Sequence, residues 1–376
     1  MAEPTTLLRE LIALPSVNPA FLPTGHHHAG EQRVADFLAA TAARQGLDVE
    51  FQKVFPKRAN LLARFTPSGR VMQRIVLAPH TDTVGAAHER QFKPVTKNGR
   101  LHGRGACDTK GCLAAMLTAV ARVANAPIRP QHTEIIFAAL IDEENNQSGS
   151  HALADSGFTA DLAIVGEPTR LKVVTAHKGD LWLRFETRGR AAHGATPHLG
   201  RNAVLEMARV VELLETTYAN QLQRRRHPLL GHATISVGAM RGGVQANIVP
   251  DHCEMLADRR TLPGETEARV HREIAALLRQ HRLNASLADS RGNPCFPLET
   301  DPKLPLVRDL MHVVGQRAPA GVHFFCDASV LAHAGIPSVV FGPGDIAQAH
   351  TADEWISLRE LERATALLTQ FLAALP

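Results

Sequence analysis

Thr133-Glu134-Ile135-Ile136-Phe137-Ala138-Ala139-Leu140-Ile141 runs straight into Asp142-Glu143-Glu144. The apolar part is too short for an ordinary helix and has no wet alternate face. It reads as a strand buried on both sides of a mostly parallel sheet. What marks it out is its end, where an apolar run stops on three consecutive carboxylates.

Three further runs share that design. Arg74-Ile75-Val76-Leu77-Ala78 stops at Pro79-His80-Thr81-Asp82, and Leu162-Ala163-Ile164-Val165 stops at Gly166-Glu167-Pro168-Thr169. Ile336-Pro337-Ser338-Val339-Val340-Phe341 stops at Gly342-Pro343-Gly344 and soon reaches His350. Helical spacing in Leu113 to Val123, Glu31 to Arg44 and Leu358 to Ala374 supplies crossover and flanking helices, which makes the fold class α/β. In an open α/β sheet, ligands lie beyond the carboxyl ends of the strands. One charged strand end is routine, because strands exit to water. Four at one edge point to a site.

The fourth strand lies far along the chain from the third, so a second domain is expected between them. Its pattern is a strand at Gly179 to Gly189, a helix from Arg201 to Gln223, and strands at 233–237 and 252–260. A helix from Glu265 to Arg282 and a strand at 284–288 complete it. This β-α-β-β-α-β order is that of a ferredoxin-like α+β unit. The expected division is 178–290 for the insert, with 1–177 and 291–376 forming the larger domain.

A chain of 376 residues with 44% hydrophobic and 21% charged residues has ample material for two cores. The net charge of +4 comes without a basic stripe, and Arg224-Arg225-Arg226 reads as a solvated helix end. Nucleic acid is not an expected partner. No apolar run approaches the ~20 residues needed to span a bilayer. Five cysteines without a CxxC pair read as reduced thiols, so a cytoplasmic protein without membrane association is expected. His26-His27-His28 invites a metal reading, but sequence neighbours rarely point one way; a solvated loop is expected there.

Between the strands lies Gly103-Arg104-Gly105-Ala106-Cys107-Asp108-Thr109-Lys110-Gly111, a glycine-punctuated loop holding one carboxylate ahead of a helix. Imidazole and carboxylate donors without thiolate suit zinc, with cobalt or manganese as substitutes. Two divalent ions about 3.5–4 Å apart need a bridging carboxylate. His80 and Glu167 could hold one ion and Glu144 and His350 the other, with Asp108 spanning both. Asp82 could accept the other ring proton of His80. Glu143 would then remain uncommitted as general base and, later, as acid to the leaving amine.

Taken together, these motifs resemble those of the di-zinc amidohydrolase and exopeptidase family that contains acetylornithine deacetylase, succinyl-diaminopimelate desuccinylase, aminoacylase and the glutamate carboxypeptidases. The family's GHxDVV corresponds to Pro79 to Val84, its GRGxxDxKGG to Gly103 to Cys112, its DEE to Asp142 to Glu144, and its GEPT to Gly166 to Thr169. Its terminal histidine motif corresponds to Gly342 to His350, followed by Asp353-Glu354. The chain departs from these motifs: Pro79 and Cys112 stand where the family has glycine, and after Glu144 it reads Asn145 to Ser150 where many relatives carry a more apolar segment.

The resemblance implies a zinc-exopeptidase-like catalytic domain, the ligand roles above, and a homodimer formed through the inserted lid. It also implies that His193, in Gly189 to Gly194, stabilises an oxyanion in a neighbouring active site. Asn247 and Arg260, rather than Arg259, would bind the substrate carboxylate. The implied activity is hydrolysis of the amide bond of an N-acyl amino acid or short peptide. The stretches around His350, Ala176 to Gly179 and Arg201 to Ala203 are nearest to acetylornithine deacetylase. Desuccinylation, or a dipeptidase or carboxypeptidase activity, is the alternative within that chemistry. A metal-binding dimeric interaction protein without turnover is the alternative outside it.

Overall fold

Continuous apolar runs become strands here because both sheet faces are covered. Every residue of Thr133–Ala139 and of Leu162–Gly166 is buried. The computed structural model describes residues 3–293 and 295–376. The chain divides into two compact units: one runs to Thr175 and resumes at Thr300–Ala320 and Cys326–Pro376, the other comprises Ala176–Glu299 with Gly321–Phe325.

In the first unit the sheet order is Asp48–Phe55, Arg58–Phe65, Thr133–Ala139, Gln73–Pro79, Leu162–Gly166, Ser338–Val340. The last four are the strands with charged or histidine-bearing ends, and they run parallel to one another. Antiparallel strands flank them: Arg58–Phe65 pairs with Thr133–Ala139 on one side, and Val174 with Val340 on the other. The sheet is therefore mixed, with its parallel part confined to the centre.

Ile75, Leu77, Ile135, Phe137, Leu162 and Ile164 alternate along their strands and so share one sheet face. They form one core with Leu113, Met116, Leu117 and Val120 of the helix Lys110–Ala124. Leu7, Leu8 and Leu11 of the helix Pro4–Ile12 and Leu361, Leu368 and Phe371 of the helix Leu358–Ala373 complete that core.

The second unit carries an antiparallel sheet in the order Thr234–Gly242, His252–Thr261, Gly179–Arg188, Ala285–Asp289. With helices after Gly179–Arg188 and His252–Thr261, the first and third of these strands along the chain, this is the ferredoxin-like arrangement. The first helix is Ala203–Glu212, continued by a π-helical turn at Leu213–Tyr218 and by Ala219–Gln223. Asn202 caps it by accepting the Leu205 N–H at 3.0 Å, and Thr266 caps Glu267–Gln280 from Arg269 N–H at 3.3 Å. Met207, Val210, Leu214, Tyr218 and Leu222 recur at helical spacing and pack with Leu183, Phe185, Met255 and Ala257.

All five cysteines are buried and unbonded to one another. Among the described residues, no helix is long and apolar enough to cross a membrane.

Candidate metal centre

Parallel register brings the strand ends level. Pro79 pairs with Gly166, Leu77 with Phe137 and Val340 with Val165, and His80 forms a bridge with Leu140. His80, Glu143 and Glu167 consequently emerge at one edge. Asp108 reaches them from the loop ahead of Lys110–Ala124.

That loop is held from within. The fully buried Glu354 carboxylate accepts the backbone N–H groups of Gly105 (2.8 Å), Cys107 (2.8 Å) and Asp108 (3.0 Å), and pairs with Arg104 at 2.7 Å. Lys110, also buried, donates to the carbonyls of Leu11 (2.9 Å) and Leu14 (2.7 Å), which fastens the helix start to the end of Pro4–Ile12. Burial pushes the Lys110 pKa down to about 7.

The two oxygens of Asp108 face different imidazoles. Oδ1 lies 3.1 Å from His80 Nε2 and Oδ2 lies 3.2 Å from His350 Nε2. His350 Nε2 is also 3.1 Å from Glu144 Oε2. Glu167 and Glu143 flank His80 Nε2 at 3.8 and 3.9 Å. Proximity alone therefore does not separate a ligand role for Glu167 from a base role for Glu143. Asp142 (φ 66°) and His350 (φ 60°) both adopt left-handed backbone, uncommon for such residues and often found at functional sites.

Four carboxylates converging on two imidazoles leave a clear electrostatic signature. Burial holds the Glu143 and Glu167 carboxyls well above the ordinary carboxylate range, and it lifts Glu144 to about 7 with help from Asp108. His350 is raised to about 10 by its bonds to Asp108 and Glu144. Burial opposes protonation of His80, but Asp108, Asp82 and the nearby glutamates outweigh it and raise its pKa. Asp108 itself is lowered: burial resists ionisation, and the two imidazoles prevail. Glu144 Oε1 is buried without a hydrogen-bond partner. A carboxylate-rich, thiolate-free pocket with an orphaned buried oxygen is the donor set that divalent cations fit.

Beneath this set lies a polar network of which the sequence shows only Asp82. Asp82 is fully buried, 3.4 Å from His80 Nδ1. It accepts the N–H groups of Glu143 and Glu144 (each 3.1 Å) and the Asn18 amide at 2.8 Å. Asn18 also donates to Asp142 at 2.9 Å, and Asp142 pairs with Arg58 at 3.0 Å. Arg58 in turn meets the buried Glu31 with its Nε at 2.7 Å. Asp327, held by Ser150 at 2.6 Å, is buried near Glu143 and Glu167, and burial raises it to about 6. Apart from Asp82, two residues from His80, the partners are far from their mates in sequence: Asn18, Glu31, Arg58 and Asp327 could not have been exposed by local spacing.

Cys112 is explained by its neighbours. A Cβ built on Gly342 would lie 2.5 Å from Cys112 Sγ, and one on Gly166 would lie 2.8 Å from Cys112 Cβ. The thiol fills space that two strand-end glycines leave open.

In the second unit, Ala192–His193 pairs with Ile248–Val249, and Gly194 N–H donates to Asn247 O at 2.7 Å. His193 and Asn247 are thus neighbours on an exposed edge. Arg260 stands apart from them on His252–Thr261, with Nε 2.8 Å and Nη2 2.9 Å from the Asp258 carboxylate and Nε 3.6 Å from Asp180. Arg259 is wholly buried on Glu265 and Tyr218. The expectation of a solvated loop at His26-His27-His28 holds for the exposed His27 and needs correction at His28, which is buried, with the His27 ring stacked on His26 and tilted against His28.

Residues 76–374 match the model of Peptidase family M20/M25/M40. The chain belongs to this family. It is a hydrolase family, and this member is 32% identical over 362 residues to an acetylornithine deacetylase of Myxococcus xanthus, covering 90% of each chain. An aminopeptidase of Bacillus cereus has the same fold, with a TM-score of 0.79 over 99% of this chain and 97% of that one at 21% identity. So does a dinuclear metal-binding M20 peptidase of Bacillus subtilis, with a TM-score of 0.71 over 98% and 96% at 12% identity.

Proposed function

We propose that this M20 member hydrolyses the amide bond of an N-acyl amino acid, with N-acetylornithine the favoured substrate, and that it uses two divalent ions, zinc foremost. The observation that carries the reading is the Asp108 carboxylate, which turns one oxygen toward each of two imidazoles. His80 and Glu167 would hold one ion and Glu144 and His350 the other, with Asp108 shared. When bound, the ions supply Lewis-acid polarisation of the amide carbonyl and lower the pKa of water.

The chain's own residues do the rest. Asp82 fixes the His80 ring through Nδ1. Glu143, buried and beyond hydrogen-bond distance of His80, takes a proton from the attacking water. It returns that proton to the leaving amine as the C–N bond breaks, so water and amide become carboxylic acid and amine, and transfer of the acid's proton to the amine gives carboxylate and ammonium. Asn247 and Arg260 are assigned to the substrate carboxylate, Arg260 by exchanging its hold on Asp258 for the ligand.

Release of free amine from acetyl-, succinyl- and aminoacyl-amino acids, with and without a chelator, tests this reading. N-acetylornithine is expected to turn over fastest, and chelation to stop turnover. Preference for the succinyl or dipeptide substrates would move the assignment to a desuccinylase or peptidase. No turnover by metal-loaded protein would leave a metal-binding interaction protein.

Resemblance within the family also supports a homodimer through the lid, with His193 acting in the partner's active site. Trp182, Met240 and Leu256 are exposed on the lid sheet, which suits such an interface. Mixing His193→Ala and Glu143→Ala chains should restore activity if sites are shared; subunit exchange without recovery would rule the sharing out. Buried cysteines without a disulfide between them suit a reducing compartment, and we place the protein in the cytoplasm, which cell fractionation reads directly.

A further inference from the structure

We propose that His27, His28 and Glu89 form a second, peripheral site for a divalent transition-metal ion, separate from the cluster around Asp108. One ring nitrogen of each histidine and one oxygen of Glu89 lie within 4.8 Å of one another. His28 Nε2 and Glu89 Oε2 are 3.4 Å apart. That is the separation of two ligands around a tetrahedral ion with bonds of about 2.1 Å. Two imidazoles and one carboxylate, with a further position open to water, suit a borderline ion of the zinc class.

Adjacent histidines usually diverge, and the backbone explains why these do not. Val17 N–H donates to His28 O at 3.0 Å and Gly30 N–H to Val17 O at 2.9 Å, so the segment is held as a bridge. Arg33 pins the His27 carbonyl at 2.8 Å and the Pro15 carbonyl at 2.9 Å. The His28 ring rests edge-on against Phe92 at 4.5 Å, and the His27 ring lies 4.0 Å from it. Glu89 and Phe92 belong to the same short 3-10 turn, Glu89–Phe92, so the ring's apolar neighbour and its carboxylate arrive together.

The chemistry of each group agrees. His28 is buried, and desolvation lowers its pKa against the opposing pull of Glu89, which favours the neutral imidazole that a metal ion needs. His27 and Glu89 are exposed, which leaves an entry path for an ion from solution. His26 is excluded as an equal ligand, because its Nδ1 already accepts the His28 N–H at 3.2 Å. An ion held here would crosslink the histidine loop to the Glu89–Phe92 turn.

The test is equilibrium dialysis against zinc followed by metal analysis, with cobalt substitution to read the ligand field by visible absorption. Wild type should bind one ion per chain more than His27→Ala, His28→Ala or Glu89→Gln, while all three variants keep the wild-type rate of amide hydrolysis. The cobalt spectrum of wild type should contain a component that these variants lack. His26→Ala should retain the extra ion. Equal metal content in wild type and all three variants would overturn the site. Loss in His26→Ala equal to that in His27→Ala would also overturn it, because it would show loose polyhistidine chelation. The comparison is a difference in ion number, so it reads this site whether or not the Asp108 cluster hydrolyses any amide.

Discussion

At the scale of single residues, the sharpest question is why two glutamates beside one imidazole should differ. Glu143 and Glu167 lie at nearly equal distances from His80 Nε2, and burial raises both. Their settings differ in backbone, not in distance. Glu143 follows the left-handed Asp142 and sits on an N–H held by Asp82, whereas Glu167 directly continues a central parallel strand. Replacing Glu143 by Gln should lower turnover by about 10²–10⁴ while both ions remain bound. Glu167→Gln should instead cost one ion. Metal analysis alongside rate measurement separates the two, and loss of an ion from Glu143→Gln would exchange the roles.

At the scale of elements, sequence and structure agree where both sheet faces are buried. The four central strands were legible because double burial writes a continuous apolar run, and their ends were legible because ligand types cluster there. Asp48–Phe55 was not, because it is an edge strand whose residues are largely exposed, so no apolar pattern betrays it. The Asp108 loop was visible through its glycines; what grips it was not. Glu354 stands in a recognisable motif, yet its role depends on backbone N–H groups some 250 residues away in sequence. Glu354→Gln would turn an amide N–H₂ toward those donors and leave Arg104 buried with half its partner. Breaking a buried pair of this kind costs on the order of 3 kcal/mol. Denaturant unfolding should show that loss, and metal titration should show both ions weakened together if, as proposed, they share Asp108. Unchanged affinity for both ions would mean that the loop keeps its shape without this carboxylate.

At the scale of the whole molecule, the cluster couples metal content to the pH dependence of folding. Glu143, Glu144, Glu167, His80 and His350 all have raised pKa values without metal. The folded metal-free chain therefore holds more protons than the unfolded chain, and its stability falls as pH rises through those values. Asp82 and Asp108 are lowered and act in the opposite sense, but only below the ordinary carboxylate range. His177, pushed down to about 4 by burial, opposes the trend below 6.5, and Lys110, near 7, opposes it above. These two are outside the cluster, so they contribute alike with and without metal and cancel in the difference between the two forms.

Ions take the place of the extra protons, so their affinity grows with pH. The gap in Tm between metal-loaded and chelated protein should consequently widen steadily from pH 6 to pH 9. Each proton displaced on binding adds about 1.4 kcal/mol of stabilisation per pH unit. Thermal unfolding of the two forms across that range reads the gap directly. A constant gap would mean that the ions displace no protons, and so that the raised carboxyls and imidazoles are not their ligands.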